Sequence, residues 1–458
     1  MLSDPIVALA TPPGRGALAL IRLSGRGAFD LAARVLRPFR PDPPRRVVRA
    51  DVHHPQSGEP IDDVLAVAFP GPASYTGEDM VEISTHGGLL VPAEVVAACV
   101  AAGARPATPG EFTRRAVQNG KMDVLQAEAT ADLIDAGAPA QRRRALQQLE
   151  RGLSRRLEAL REEILELEAL IAYDIDFPEE DEGPVGPERI ERAWRVARDR
   201  VARLLATAPQ GERLHAGALV VIAGPPNAGK SSLFNALLGR ERAIVTEIPG
   251  TTRDAIEAQA VIDGLPFRLV DTAGLRDSDD RVERLGIEVS RRYLGAADLI
   301  LFCDAGDEGR GTGDASAREE FLASCPAPVV YVRTKSDLSS PSARPPDRLT
   351  ADRPSVPVSI VTGEGLAELG RRLVEAAFGG LVALGDVEPV VTRERHRVAL
   401  ERALAELDLF RAAQGQGVDA AAAATHLRAA VGALDDLIGV VTPEDVLDRV
   451  FSSFCVGK

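Results

Sequence analysis

The chain has 458 residues, of which 45% are apolar and 4% aromatic, and a net charge of −14. That length suggests about two to four domains, with enough apolar chain for sizeable cores. The acidic balance excludes a free-standing nucleic-acid binder, though not a local basic patch that acts on RNA.

The opening MLSDPIVALATPPGRG lacks the cationic start and long apolar stretch of a secretory signal. No run approaches the ~20 apolar residues of a membrane span, so a cytoplasmic protein with no membrane partner is expected. Cys99, Cys303, Cys325 and Cys455 have no metal-ligand spacing and read as reduced thiols. Of 54 basic residues only four are lysines, at 121, 230, 335 and 458. Arg replaces Lys on a solvated surface but not where a compact, rotatable ammonium is needed. The four lysines therefore mark candidate ligand sites.

In residues 1–120, IVALA (6–10), ALALIRL (17–23), DVLAVAF (63–69) and MVEIS (80–84) read as strands. Segments near 25–37, 89–102 and 109–119 read as helices. This predicts a small α+β domain. From 121 to 215 the pattern is long helices dense in Arg and Glu, broken by the acidic loop DFPEEDEGPVGPE (176–188). From 216 to 380, ALVVIAG, FRLVDTAG, DLILFCD, PVVYVR and VPVSIV are buried-strand runs separated by helices, the pattern of a doubly wound parallel sheet. Residues 381–458 return to helices and end in FSSFCVGK. The predicted architecture is multidomain α/β and α+β. Its α/β domain is inserted in a discontinuous helical domain, and the small α+β domain comes first.

GPPNAGKS (224–231) follows a strand and opens a helix, so it matches the phosphate-loop pattern in context. Backbone N–H groups around Asn227, Ala228, Gly229, Ser231 and Ser232 can cradle phosphates. Lys230 should reach the β- and γ-phosphates, and the Ser231 hydroxyl should bind Mg²⁺. TEIPGTTRD (246–254) supplies Thr252 as a second Mg²⁺ ligand. DTAG (271–274) supplies Asp271 near the metal, then Thr272, Ala273 and Gly274 at the γ-phosphate. TKSD (334–337) supplies Thr334, Lys335 and Asp337. The Asp337 carboxylate can accept from N1 and N2 of guanine, which argues for GTP over ATP. Thr334 stands where Asn is usual. Ser359-Ile360-Val361 stands for a Ser-Ala-Lys motif and leaves that base contact to backbone. Leu275 follows DTAG where many GTPases carry a water-orienting Gln. Glu283 in RDSDDRVERLG is the candidate replacement, with a solvated helix charge as the equal alternative.

ATPPGRGALALIRLSG, GPASYTGEDMVEISTHGG, the 105–126 segment, DTAGLRDSDDRVERLGIE and FSSFCVGK together resemble the MnmE (TrmE) family of tRNA modification GTPases over essentially the whole chain. The resemblance implies a homodimer formed through a folate-binding N-terminal domain. It implies a tRNA bound mainly through a complex with the FAD-dependent MnmG (GidA) partner, which alone carries FAD. The two proteins would add an aminomethyl or carboxymethylaminomethyl group at C5 of the wobble uridine, with methylene- or formyl-tetrahydrofolate as one-carbon source. K⁺ would be held by Asn227, Thr246, Ile248 and Thr251, with Thr246 and Thr251 also counted in the GTP site. Glu283 would position the water. Arg22, Glu82, Lys121 and Lys458 would bind folate, and Cys455 would lie beside the one-carbon chemistry. A regulatory switch, as in ribosome assembly, shares the GTPase motifs but needs no folate pocket. A P-loop ATPase is disfavoured by Asp337.

Overall fold

The computed structural model describes residues 4–176, 186–240, 257–272, 292–305, 325–338, 355–384, 389–439, 444–452 and 454–457. The chain divides into two compact units, Met1–Ala131 with Gly432–Lys458, and Asp132–Val431.

The first unit is built on a seven-stranded sheet. Its strands are β1 (Ile6–Leu9), β2 (Gly14–Ser24), β3 (Leu36–Arg37), β4 (Val47–His53), β5 (Pro60–Phe69), β6 (Met80–Gly88) and β7 (Arg105–Pro106), in the order β3-β4-β5-β6-β2-β1-β7. Alternating side chains put Ile21, Leu23, Val64, Ala66, Val81 and Ile83 on one face. Helices α1 (Ala28–Val35) and α2 (Leu90–Ala102) cover that face with Leu31, Val35, Val95 and Cys99. Helix α3 (Glu111–Gln118) follows β7, and α4 (Val124–Asp135) comes next. Strand β4 is missed by sequence reading because Arg49 and Asp51 interrupt its apolar run; only Ala50 and Val52 are buried.

The second unit contains a six-stranded sheet of β8 (Ala218–Ala223), β9 (Glu257–Ile262), β10 (Leu265–Asp271), β11 (Leu299–Asp304), β12 (Val329–Arg333) and β13 (Ser355–Pro357), ordered β13-β12-β11-β8-β10-β9. Strands β8, β10, β11, β12 and β13 pair in parallel, and β8 is buried at all six positions, as a strand covered on both faces must be. The parallel sheet is as expected, but β9 adds an antiparallel edge. Asp263-Gly264 makes the two-residue β9–β10 turn with φ of 49° and 77°, and so short a link permits only a hairpin. Helices α5 (Pro139–Leu149), α6 (Gly152–Asp176), α7 (Pro187–Leu205) and α8 (Ala208–Ala216) precede the sheet. Helix α9 (Lys230–Arg240) lies between β8 and β9 in sequence, and α10 (Leu366–Leu384), α11 (Glu394–Gly415) and α12 (Ala420–Ile438) follow β13. Leu233, Leu237, Leu369, Leu373 and Phe378 join the inward residues of the sheet in one core. The Trp194 indole on α7 donates to the Leu407 carbonyl of α11 at 2.8 Å, tying helices before and after the sheet. Helix α13 (Glu444–Ser452) completes the first unit.

Candidate functional site

Strand β8 delivers the chain into the 224–229 loop, and Gly224 makes the first bend with φ of 141°. A Cβ there would lie 2.3 Å from the Cys303 carbonyl, so only glycine lets the loop run against β11. Asn227 is left-handed at φ 59°, turning the loop towards α9. Lys230 is 8% exposed at the start of α9, and its ammonium donates to the Pro225 carbonyl at 2.8 Å. Ser231 and Ser232 are exposed on the first turn of α9, where unpaired N–H groups favour an anion. Asp271 and Ile222 are register partners across β10 and β8, which sets the carboxylate beside the start of the loop. The Thr272 hydroxyl donates to the Ile222 carbonyl at 2.8 Å.

The other end of the site is built from β12 and β13. Thr334 is fully buried; its N–H donates to the Asp304 carbonyl at 2.8 Å and its hydroxyl to the Ala228 carbonyl at 2.7 Å. The residue at the usual Asn position thus holds the phosphate loop against the end of β11. Lys335 is left-handed at φ 55°, and Asp337 sits in a single 3₁₀ turn, Ser336–Leu338. The Ser336 N–H donates to the Val358 carbonyl at 3.2 Å, which brings the 359–361 segment alongside. Buried Ser359 accepts from the Thr362 N–H at 3.2 Å, while Val361 is 86% exposed.

A second cluster forms in the first unit. Arg22 and Glu82 are direct partners in the β2–β6 register, and Arg22 Nε donates to Glu82 Oε1 at 3.0 Å. Arg22 Nη1 donates to the Gly457 carbonyl at 3.3 Å, and the guanidinium lies 5.4 Å from the Tyr75 ring centre. Phe451 and Phe454 are buried against Val124 and Ala127, so the segment before the end is packed, although Val456 stays half exposed. Gly457 has φ of 96°, and a Cβ there would meet the Leu9 carbonyl at 2.4 Å. The Cys455 carbonyl accepts from the Gly110 N–H at 3.3 Å, and its thiol side is exposed. Lys121 Nζ donates to the Pro72 carbonyl at 2.8 Å. Burial pushes the Cys99 and Cys303 thiols up to about 12.

Sequence reading missed a buried ionic network beside this cluster. Arg115 is 1% exposed and binds Glu111, Glu78 and Asp4, while Arg105 forms a second bridge to Glu111. Burial raises the Glu111 carboxyl, but hydrogen bonds from Arg105, the Thr108 N–H and Arg115 outweigh it and bring the group to about 2. EFTRR (111–115) reads as an ordinary helix surface; only the i,i+4 spacing of Glu111 and Arg115 hints at a pair.

Thr246, Ile248, Thr251, Thr252, Ala273, Gly274, Glu283 and Lys458 lie outside the described residues.

A family model for the MnmE helical domain matches residues 124–455, and one for the GTP-binding protein TrmE N-terminus matches residues 5–121. The chain belongs to the MnmE family of tRNA modification GTPases. It is 40% identical to the tRNA modification GTPase MnmE of Moorella thermoacetica, with 100% of both chains covered. It is 44% identical to the MnmE of a Thermus thermophilus strain, covering 100% of this chain and 99% of that one. Against the MnmE of a Methylobacterium species the identity is 45%, with 100% of both covered. Membership in the MnmE family makes this chain a GTPase of tRNA modification. Among the described residues, no helix is long and apolar enough to cross a membrane.

Proposed function

We propose that the chain is the K⁺-activated, GTP-hydrolysing subunit of the enzyme that adds an aminomethyl or carboxymethylaminomethyl group to C5 of the wobble uridine of tRNA. In this reading a methylene- or formyl-tetrahydrofolate supplies the one-carbon unit, and FAD resides on an MnmG-type partner. The observation that carries the one-carbon reading is the meeting of Arg22, Glu82 and the Gly457 carbonyl at one cross-strand position. Arg22 spends two donors there, which fixes Glu82 and leaves its second oxygen to accept from a pterin N–H. Lys121 and Lys458 complete the set as cations for the folate tail.

On the nucleotide side, Lys230 binds the β- and γ-phosphates, Ser231 and Thr252 hold Mg²⁺, and Asp337 selects guanine. Asn227, Thr246, Ile248 and Thr251 hold K⁺, which supplies positive charge where other GTPases use an arginine finger. Glu283 orients the attacking water, the task that Leu275 cannot perform. Leu18 on β2 and Leu89 and Leu90 just after β6, 70%, 75% and 68% exposed, favour a homodimer through the first unit.

The test is nucleoside analysis of tRNA after incubating the protein with its flavoprotein partner, folate, GTP and K⁺. Modified wobble uridine is expected only in the complete mixture. Formation of the same product without folate would overturn the one-carbon reading.

A further inference from the structure

The acidic chain carries a local basic stretch that the nucleotide and folate sites do not use. Residues 142–156 hold six arginines, at 142, 143, 144, 151, 155 and 156, against one acid, Glu150. They lie on α5, the elbow after it and the first turn of α6. Arg151 is left-handed at φ 64°, and its N–H donates to the Gln148 carbonyl at 3.0 Å, so the elbow has a fixed backbone.

Elsewhere on the helices, many arginines pair with nearby acids. Arg195 pairs with Glu191, Arg198 with Asp408, Arg372 with Glu368 and Arg397 with Glu401. These are the interleaved charges of a solvated surface. The elbow gathers several exceptions, although Arg151 within it pairs with Glu158. Arg142 and Arg155 are exposed and Arg156 half-buried. Among the described residues, none of these three side chains has a hydrogen bond or an ion pair.

We propose that the α5–α6 elbow is a contact surface for the phosphate backbone of tRNA, with Arg142, Arg155 and Arg156 as its principal cations. This rests on the tRNA-modification reading and adds to it where this chain touches the RNA. Charge complementarity carries it, because a basic stretch in a chain of net charge −14 attracts a polyanion locally while the rest repels it. Contacts of this kind set position and register and leave base recognition to other groups.

The test titrates fluorescently labelled tRNA with the full-length chain at several KCl concentrations. Three proteins are compared: wild type, Arg142→Gln/Arg155→Gln/Arg156→Gln, and the corresponding triple Lys variant. The Gln variant should bind about tenfold or more weakly, and its slope of log K against log salt should fall by about 2 to 3, for three lost phosphate contacts. The Lys variant should keep most of the affinity and the wild-type slope. GTP hydrolysis without tRNA should match wild type in all three, which shows that the variants are folded.

Unchanged affinity and slope in the Gln variant would overturn the proposal, and so would an equal loss in the Lys variant. A Gln variant that keeps tRNA but loses the flavoprotein partner would make the elbow a protein-docking face instead. Absence of tRNA binding by the wild-type chain alone would also overturn it. In that case nucleoside analysis of the complete mixture still decides the tRNA-modification reading separately.

Discussion

Arg22 faces Glu82 directly across the β2–β6 pair, and the guanidinium that binds the carboxylate also holds the carbonyl of Gly457. The chain's C-terminal segment is thereby part of the same cluster as two strand residues that stand sixty positions apart.

That arrangement predicts how the tail matters to folate. Gly457→Ala puts a side chain against the Leu9 carbonyl at a left-handed position, so the last residues cannot seat. Tetrahydrofolate affinity, measured by calorimetry on the full chain, should fall at least tenfold. GTP affinity should not change, because the nucleotide loop lies in the other unit. Unaltered folate binding in this variant would remove the tail from the site.

Thr334→Val keeps the shape of the side chain and deletes its hydroxyl. The Ala228 carbonyl then loses a buried donor, at a cost of about 1–3 kcal/mol. Chemical denaturation should show that loss, and GTP should bind more weakly because the loop around Asn227 and Gly229 is less fixed. A variant with wild-type stability would mean that a water or another donor replaces the hydroxyl.

Glu283→Ala should abolish hydrolysis while leaving GTP affinity nearly intact, since the residue is proposed to act on the water. In the wild type, turnover should be faster in K⁺ than in Na⁺ at equal ionic strength. Normal turnover in the variant would exclude Glu283, and equal rates in the two salts would count against the Asn227 cation site. Single-turnover phosphate release reads both.

Glu111 makes the fold sensitive to acid. Its folded value of about 2 lies below the 4.5 of an unperturbed carboxyl. The contribution is therefore complete above about pH 4.5 and is lost as the pH falls through about 2, on the order of 3 kcal/mol in all. Glu111→Gln should lower the unfolding free energy at pH 7 by a similar amount and flatten its acid dependence. It would leave Arg115, which is 1% exposed, with only Asp4 and Glu78 as partners. An acid profile unchanged by the substitution would assign the pH dependence to other groups.

The parallel strands were legible because burial on both faces writes an unbroken apolar run, as in ALVVIA of β8. Strand β9 escaped because EAQAVI has polar positions at a sheet edge, although the Asp263-Gly264 pair that follows is a strong hairpin signal. The run VPVSIV predicted a longer strand than β13, which stops at Pro357; Val361 lies outside the core. The phosphate loop could be read locally, since its chemistry requires one contiguous segment. Arg22 and Glu82 could not, because strand pairing and not spacing brings them together. The folate role proposed for them rests on the family resemblance. The Glu111 network was hidden for the same reason, since Asp4, Glu78 and Arg115 meet only in the folded unit.

The cysteine distribution gives the protein a built-in reporter. With Cys99 and Cys303 buried and held at about 12, their thiolates are scarce at neutral pH, whereas Cys455 is exposed. A brief pulse of a bulky alkylating dye should therefore mark the tail well before either of those two. Cys325 is partly exposed, so the labelled peptide must be identified by digestion; a Cys455 rate that falls when folate is added would place the thiol beside the proposed pocket.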